Sequence, residues 1–363
     1  AYSCRPKTNK YRLRRLRSQR ELWSSLMKKL LLTLLLLSSL LNAGCFSRPQ
    51  SHNDTRFLMD TTVSIDAVGQ KEINIKDAVD NAFRVFQEIA DETDRYKDSS
   101  SKGLFQLNAH AGQGPFTVGP HLLFLTEMAR QQEFSEFDVT LAPLINLWRQ
   151  HGLSKTVPDV QDIKAALALS GKDKFAVDSQ NRTITLEAQA GLDLGAIAKG
   201  YAVDAAAEIL QNDKNVSYAL INAGGNIKTI GTKADGKPWR IALQDPRRSD
   251  AYLGIINLKA GEAVATSGDY QRYYEVNGIR YHHILDPHTG MPSRNAISVT
   301  VVASSAFVTD YYSTLLFVLP HEKVLEVLAA HPEIAAIIVK ADQAIYISPS
   351  LQSRFELTPA GGK

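Results

Sequence analysis

Between Tyr218 and Ile284 the chain carries five short strand patterns in succession, with no helical pattern between them: Tyr218–Asn222, Trp239–Leu243, Tyr252–Leu258, Tyr273–Val276 and Ile279–Ile284. Parallel neighbours need a crossover of a dozen or more residues, usually a helix, whereas antiparallel neighbours can be joined by two. Asn277-Gly278, between the last two strands, is such a joint, because both residues tolerate the positive φ of a tight hairpin turn. Helical patterns flank this run. Ile73–Ala90 places Ile75, Val79, Ala82, Phe83, Phe86, Ile89 and Ala90 on one face, and Pro120–Phe134, Pro158–Leu169, Ala196–Leu210, Phe307–Leu319 and Glu322–Ala330 read the same way. Phe57–Ile65, Ile297–Ala303, Ala335–Val339 and Ala344–Ile347 read as further strands, and Phe175–Leu186 as a hairpin turning at Asn181. Helices and antiparallel hairpins without regular βα alternation give an α+β fold and argue against a doubly wound sheet.

Charge divides the chain in two. The net charge is +3, but residues 1–48 hold eleven Lys or Arg against one acid, so the rest carries 30 basic and 37 acidic residues, a net −7. Nothing in that acidic body forms the basic stripe of a nucleic-acid binder. Met27-Lys28-Lys29, the leucine-rich run Leu30–Leu41 and the small residues before Cys45 describe a signal peptide, too short to span a bilayer as a helix. Ala43-Gly44-Cys45 is similar to a bacterial lipobox, with Asn42 where Leu is more usual. The expectation is cleavage before Cys45, lipidation of its thiol and an exported, membrane-anchored body facing the periplasm or cell exterior; an uncleaved anchor is the alternative. Met27 is the expected start, with 1–26 upstream. Residues 1–45 are then a leader, 46–56 a polar linker, 57–350 the folded domain and 351–363 a tail. Cys4 and Cys45 are the two cysteines, so a disulfide framework and a Cys-rich metal site are excluded in the body.

Four segments of the body carry polar groups suited to chemistry. Asn222-Ala223-Gly224-Gly225-Asn226 could bring backbone close to a phosphate, though a plain turn is the simpler reading. Tyr281 to Gly290 packs three histidines and an acid into ten residues; adjacent strand residues point to opposite faces, so His282 and His283 are poorly placed to share a zinc ion. Asp310 and Thr314 are four apart and share a helix face, where a carboxylate and a hydroxyl could hold a hard cation such as Mg²⁺. Asp310 could equally be a residue that favours a helix N-terminus. Leu192 to Tyr201 enters a helix that Asp193 could cap, with Lys199 able to meet a phosphate or an acid.

Taken in order, the segments are more specific than any one alone. Phe57 to Thr61, Tyr96 and the loop to Asn108, Phe137 to Trp148, Asp193 to Tyr201, Ile221 to Asn226, Ala265 to Tyr270, His283 to Gly290 and Asp310 to Thr314 are collinear with the motifs of one family. Over nearly all of residues 56–350 the chain resembles the ApbE family, the FAD:protein FMN transferases. The resemblance implies an ApbE-like fold, FAD as substrate, Mg²⁺, and transfer of FMN to a Thr or Ser hydroxyl of a target protein with release of AMP. It places flavin contacts on Met59, Tyr96, Glu136, Phe137, Asp138, Asp193, Lys199 and Leu285. Metal contacts fall on Asp310, Ser313, Thr314 and Ala196, and the histidine implicated in transfer is His283. The acceptors it implies are exported flavoprotein subunits, such as those of ion-pumping redox complexes. Asp60 and Ala196 stand where the family usually has Gly, Ser313 where some members have Asp, and Tyr311 and Tyr312 are bulkier than usual. A metal-dependent FAD pyrophosphatase would use the same site with water as acceptor, and a flavin-holding lipoprotein without catalysis is the third reading.

Overall fold

The computed structural model describes residues 49–358, together with Trp23 and residues 26–29. The leucine-rich run Leu30–Leu41, Cys45 and the first residues of the expected linker lie outside the described residues. Among the described residues no helix is long and apolar enough to cross a membrane. Residues 49–358 belong to one compact unit.

An eight-stranded antiparallel sheet organises that unit. In spatial order it runs β1 (Gln50–Leu58), β2 (Thr61–Gly69), β6 (Val216–Ala223), β7 (Asn226–Ile230), β10 (Ala263–Gly268), β13 (Ala296–Ala303), β14 (Ala335–Lys340) and β15 (Ile345–Ile347). A three-stranded sheet holds β3 (Pro115–Thr117), β5 (Thr183–Leu186) and β4 (Phe175–Asp178). A second joins β16 (Phe355–Leu357), β9 (Arg248–Leu258) and β8 (Trp239–Asp245). The hairpin β11 (Tyr273–Val276) and β12 (Ile279–His282) stands apart, its turn formed by Asn277 and Gly278 at φ 51° and 76°.

Three helices cover one face of the large sheet: α1 (Glu72–Thr93), α6 (Ala198–Asn212) and α7 (Ala306–Val318). The helices α2 (Leu104–Ala109), α3 (Pro120–Gln131), α4 (Ala142–Ser154) and α5 (Val160–Leu167) lie between β2 and α6 in the chain, and α8 (His321–Ala330) follows α7. The apolar stripe of α1 is buried against β2, α6 and their neighbours, with Phe83 and Phe86 almost fully enclosed. Burial of one such side chain contributes about 1.5–3 kcal/mol. The opposite face of the sheet meets β8, β9 and β16 through Ile227, Leu243, Ile256, Val302 and Phe355. All eight residues of β13 are buried because the strand is covered on both faces, which is why its sequence is an unbroken apolar and hydroxyl run.

Several boundaries differ from the sequence expectation. The segment 46–56 is not a linker over its described part, since Gln50 to Arg56 form most of β1, paired along its length with β2. Its polar alternation hid it: Gln50, Ser51, Asn53 and Thr55 are exposed, as an edge strand with one wet face allows. Phe57–Ile65 is not one strand but the two arms of a hairpin, turning at Met59 and Asp60 with φ 51° and 56°. Asp60 thus occupies the left-handed conformation that glycine would take most easily, and aspartate is among the few residues that tolerate it. The tail 351–363 is part of the domain as far as it is described, because Phe355–Leu357 pair with β9. The helix expected from Ala196 starts at Ala198 with Ile197 as N-cap, so Asp193 does not cap it. The strands β7 and β10 and the helix α4 were absent from the periodicity reading, since their short or apolar runs depend on neighbours for their conformation.

Candidate active site

A cleft of about 250 Å³ opens between the β1–β2 turn, the C-terminal end of α1 and the segment leading into α6. Met59, Tyr96, Asp193 and Lys199 line it, with Asp60, Arg95, Lys97 and Arg272. A second cavity of about 400 Å³ shares Arg95 and Tyr96 and adds Asn108, Asn146 and Gln189. Arg95 and Tyr96 therefore form a common wall.

That wall is tightly built. Arg95 Nε lies 2.7 Å from Asp193 Oδ2, with both side chains mostly buried. Arg95 Nη2 donates to both Tyr96 Oη at 2.9 Å and Asn146 Oδ1 at 2.8 Å. The guanidinium groups of Arg95 and Arg149 lie 4.5 and 4.4 Å from the Tyr96 ring centroid, within cation–π range. Asp193 Oδ1 accepts the Gly195 N–H at 2.9 Å, and its own N–H donates to Val139 O at 2.7 Å. Asn108 clamps the preceding residue, accepting from Leu192 N and donating to Leu192 O. Arg95, Arg272 and Asn108 escaped the sequence reading as ligand-facing groups. Their positions beside Tyr96, after Tyr270 and within the quoted Leu107-Asn108 pair were the available signals.

Behind Lys199 lies a buried oxygen cluster. Gly200, the second full residue after Ala198 in α6, packs against α7 and donates its N–H to Asp310 Oδ2 at 2.9 Å. Lys199 Nζ bonds Gly195 O at 3.0 Å and stands 3.9 Å from Asp310 Oδ1. Burial pushes the Asp310 carboxyl above its ordinary value, while the Lys199 charge, the Asn226 amide and the Gly200 N–H pull the other way. Asn226 Nδ2 is buried and makes no hydrogen bond of normal geometry, an open donor beside the carboxylate. Ser267 Oγ sits 2.9 Å from Ser313 Oγ and 3.3 Å from Thr314 Oγ1. One carboxylate and three hydroxyls suit a hard, oxygen-seeking cation. Among the described residues no three His, Cys, Asp or Glu side chains converge as a metal site, so any ion here would rest on hydroxyl and backbone oxygens as well.

The two adjacent histidines diverge. His282 is buried; its Nε2 donates to Ser293 O at 2.7 Å and its Nδ1 accepts from Ile284 N at 3.3 Å, which fixes a neutral ring edge-on to Phe317. Burial lowers its pKa to about 4. His283 faces the other way, and its Nδ1 donates to Arg272 O at 3.2 Å. Surrounding protein and the Arg272 charge push its pKa down. The residue keeps more than a third of its surface open, and water there tempers the shift; the neutral form holds at pH 7, with Nε2 able to accept a proton.

The remaining expected contacts sit elsewhere. Phe137 is buried edge-on to Tyr311 at 4.6 Å, and Asp138 accepts from the Thr140 N–H and hydroxyl at 2.7 and 2.5 Å. Glu136 accepts from Ser135 Oγ at 3.4 Å, and Leu285 is buried with Leu144 and Trp148. Ala196 packs partly buried against the central core. None of these five lines the cleft. The Gly224-Gly225 loop is the tight turn between β6 and β7, where an added Cβ at Gly224 would meet the Thr61 hydroxyl at 2.2 Å.

Several known proteins are similar to this chain in sequence and fold. The ApbE family model matches residues 59–338. An FAD:protein FMN transferase of Klebsiella pneumoniae is 37% identical over 292 residues, 77% of this chain and 88% of the relative. One of Vibrio cholerae is 32% identical over 326 residues, covering 87% and 96%. The crystal structure of the ApbE protein of Thermotoga maritima superposes with a TM-score of 0.74 at 32% identity, over 83% of this chain and 98% of that one. The flavinyl transferase ApbE of Pseudomonas stutzeri, in its apo form, gives 0.72 at 29% identity, over 86% and 98%. The chain belongs to the ApbE family.

Proposed function

We propose that this protein moves the FMN half of FAD onto a Thr or Ser hydroxyl of a flavoprotein acceptor and releases AMP. The observation that carries this reading is one cleft lined by Tyr96, Arg95, Asp193, Lys199 and Arg272, with the Asp310 carboxylate 3.9 Å from Lys199 and His283 bonded to the Arg272 carbonyl. The two adjoining cavities suit an elongated dinucleotide. Lys97 and Arg272 have no side-chain hydrogen bond or ion pair among the described residues, which leaves cations free for its diphosphate. Tyr96 offers a ring to a flavin or adenine. Met59, Asp193 and Lys199 border the same space.

The acceptor hydroxyl is a weak acid and needs a base. His283 Nε2 takes its proton as the oxygen bonds to the FMN phosphorus; the bond from that phosphorus to the bridging oxygen breaks and AMP departs. Asp310, Ser313 and Thr314, with the Ala196 carbonyl, would hold Mg²⁺. When bound, the ion would neutralise charge that grows on the diphosphate. Glu136, Phe137, Asp138 and Leu285 act in this reading by shaping the walls behind the cleft. Cys45 carries the lipid that tethers the enzyme outside the cytoplasm, where exported subunits of redox complexes would be its acceptors.

Incubation with FAD, Mg²⁺ and a candidate acceptor tests the reading. A covalent FMN adduct on the acceptor, with one AMP per adduct, is expected. AMP and free FMN without adduct would make it a pyrophosphatase, and unchanged FAD would leave a flavin-holding protein. Mass spectrometry of the mature N-terminus, expected to show diacylglyceryl-Cys45, tests the anchor.

A further inference from the structure

Among the described residues the large sheet ends on β1, and from Asn53 to Phe57 its far side pairs with no other strand. The register decides which backbone groups face that side. Leu58 and Thr61 close the two-residue turn as a bonded pair, and bonded and non-bonded pairs alternate along an antiparallel ladder. Phe57–Thr62, Thr55–Ser64 and Asn53–Asp66 are therefore the non-bonded pairs. The opposite edge of β2 agrees, since Thr62 O accepts from Gly224 N at 3.1 Å and so points away from Phe57. The N–H and C=O of Asn53, Thr55 and Phe57 consequently point outward. Of these, the Thr55 N–H is taken, by Asp54 Oδ1 at 2.7 Å.

Natural proteins blunt such edges with proline, lysine or bulges. The stretch Asn53–Phe57 has no proline, lysine or bulge, its register with β2 is unbroken, and its charges, Asp54 and Arg56, pair with each other. It ends at the cleft: Phe57, 71% exposed, lines the mouth together with Leu58, Met59 and Asp60.

We propose that this edge is where the acceptor docks, an extended segment of it pairing with Asn53–Phe57 as an added strand that leads its hydroxyl into the cleft. The proposal rests on the FMN-transfer reading. Of the partners an edge can take, the acceptor is the one that the reaction requires to enter this cleft as a chain. Strand addition draws affinity from backbone bonds and aligns the incoming segment along a fixed line. From Asn53 to Phe57 that line is about 13 Å long, at roughly 3.3 Å per residue.

Proline at position 53 removes an outward donor without breaking a bond to β2. With an acceptor that the wild-type enzyme flavinylates, Asn53→Pro is expected to raise the acceptor KM about five- to tenfold, the scale of one backbone hydrogen bond. FAD affinity and the rate at saturating acceptor are expected to hold. Asn53→Ala, which loses the side-chain bond to Asp66 but keeps the N–H, is expected to match wild type. In the unmutated enzyme, hydrogen exchange at Asn53 and Phe57 should slow when acceptor is added. An unchanged KM in Asn53→Pro, an equal rise in Asn53→Ala, or protection that grows with enzyme concentration alone would overturn the proposal, the last by placing a second copy on the edge. A wild-type enzyme that binds and cleaves FAD but labels no acceptor would instead remove the function on which it rests.

Discussion

Gly200 offers the sharpest test of the site because it separates packing from chemistry. A Cβ there would lie 2.3 Å from the Ala306 carbonyl oxygen and 2.7 Å from Asp310 Cβ, where 3.4 Å is ordinary contact. The first obstacle is backbone at the start of α7, so the relief must come from moving α6 and α7 apart by about 1 Å. In Gly200→Ala the overpacking costs about 1–3 kcal/mol. Better helix propensity returns about 1 kcal/mol. A net loss of up to about 2 kcal/mol lowers Tm by only a few degrees in a domain of this size. The same displacement stretches the 2.9 Å bond from the Gly200 N–H to Asp310 and shifts Lys199 against that carboxylate. Misplacement by about 1 Å costs on the order of 100-fold in rate. Steady-state FMN transfer at 25 °C, well below the melting transition, should therefore show kcat/KM reduced about 100-fold while urea unfolding reports a nearly intact fold. Activity within threefold of wild type would show that the α6–α7 spacing does not set the chemistry.

Asp310→Asn should abolish transfer and also remove the rise in Tm that Mg²⁺ gives the wild type; full activity would exclude a cation at this cluster. His283→Ala should slow transfer by about 10²–10⁴-fold with FAD affinity within threefold, and equal loss of both would make the residue a binding group only. Because the folded pKa of His283 lies below its ordinary 6.5, the ring stays neutral as pH falls to that value, so the acid limb of kcat/KM should lie below pH 6.5 and vanish in the variant. His282 makes a stability prediction. Its pKa is about 4 folded against 6.5 ordinarily, so between those values the unfolded chain binds a proton that the native state does not. Stability should fall as pH drops through that window, by up to about 3 kcal/mol, and level off below pH 4. Urea titrations of wild type and His282→Gln should differ by that slope, and parallel curves would refute the burial argument.

Much of this fold was legible because its signals are local. The stripe of α1, the Asn277-Gly278 turn and the alternating strands β8, β9, β11 and β12 need only their own residues to be read. The strand β1 was not legible, because an edge strand with polar residues on its wet face has no hydrophobic period to detect. The site was partly legible. Met59, Tyr96, Asp193 and Lys199 line one cleft, and Asp310 and His283 are tied to it through Lys199 and the Arg272 carbonyl. Glu136, Phe137, Asp138 and Leu285 carry the motif but bury into walls or bond their own neighbours.

The sequence by itself determined the family, the antiparallel character of the sheets and the residue types able to move a proton or hold a hard cation. These depend on side-chain chemistry and on spacing along one helix or one turn. Only the tertiary structure decided that Gly200 serves helix contact and not ligand approach, and that His282 is locked away while His283 is free. It also decided that Arg95 ties Tyr96 to Asp193, 98 positions later in the chain. The physical reason is that desolvation and hydrogen-bond partnership belong to what surrounds a group in space, and groups distant in sequence supply that surrounding only once the chain has packed.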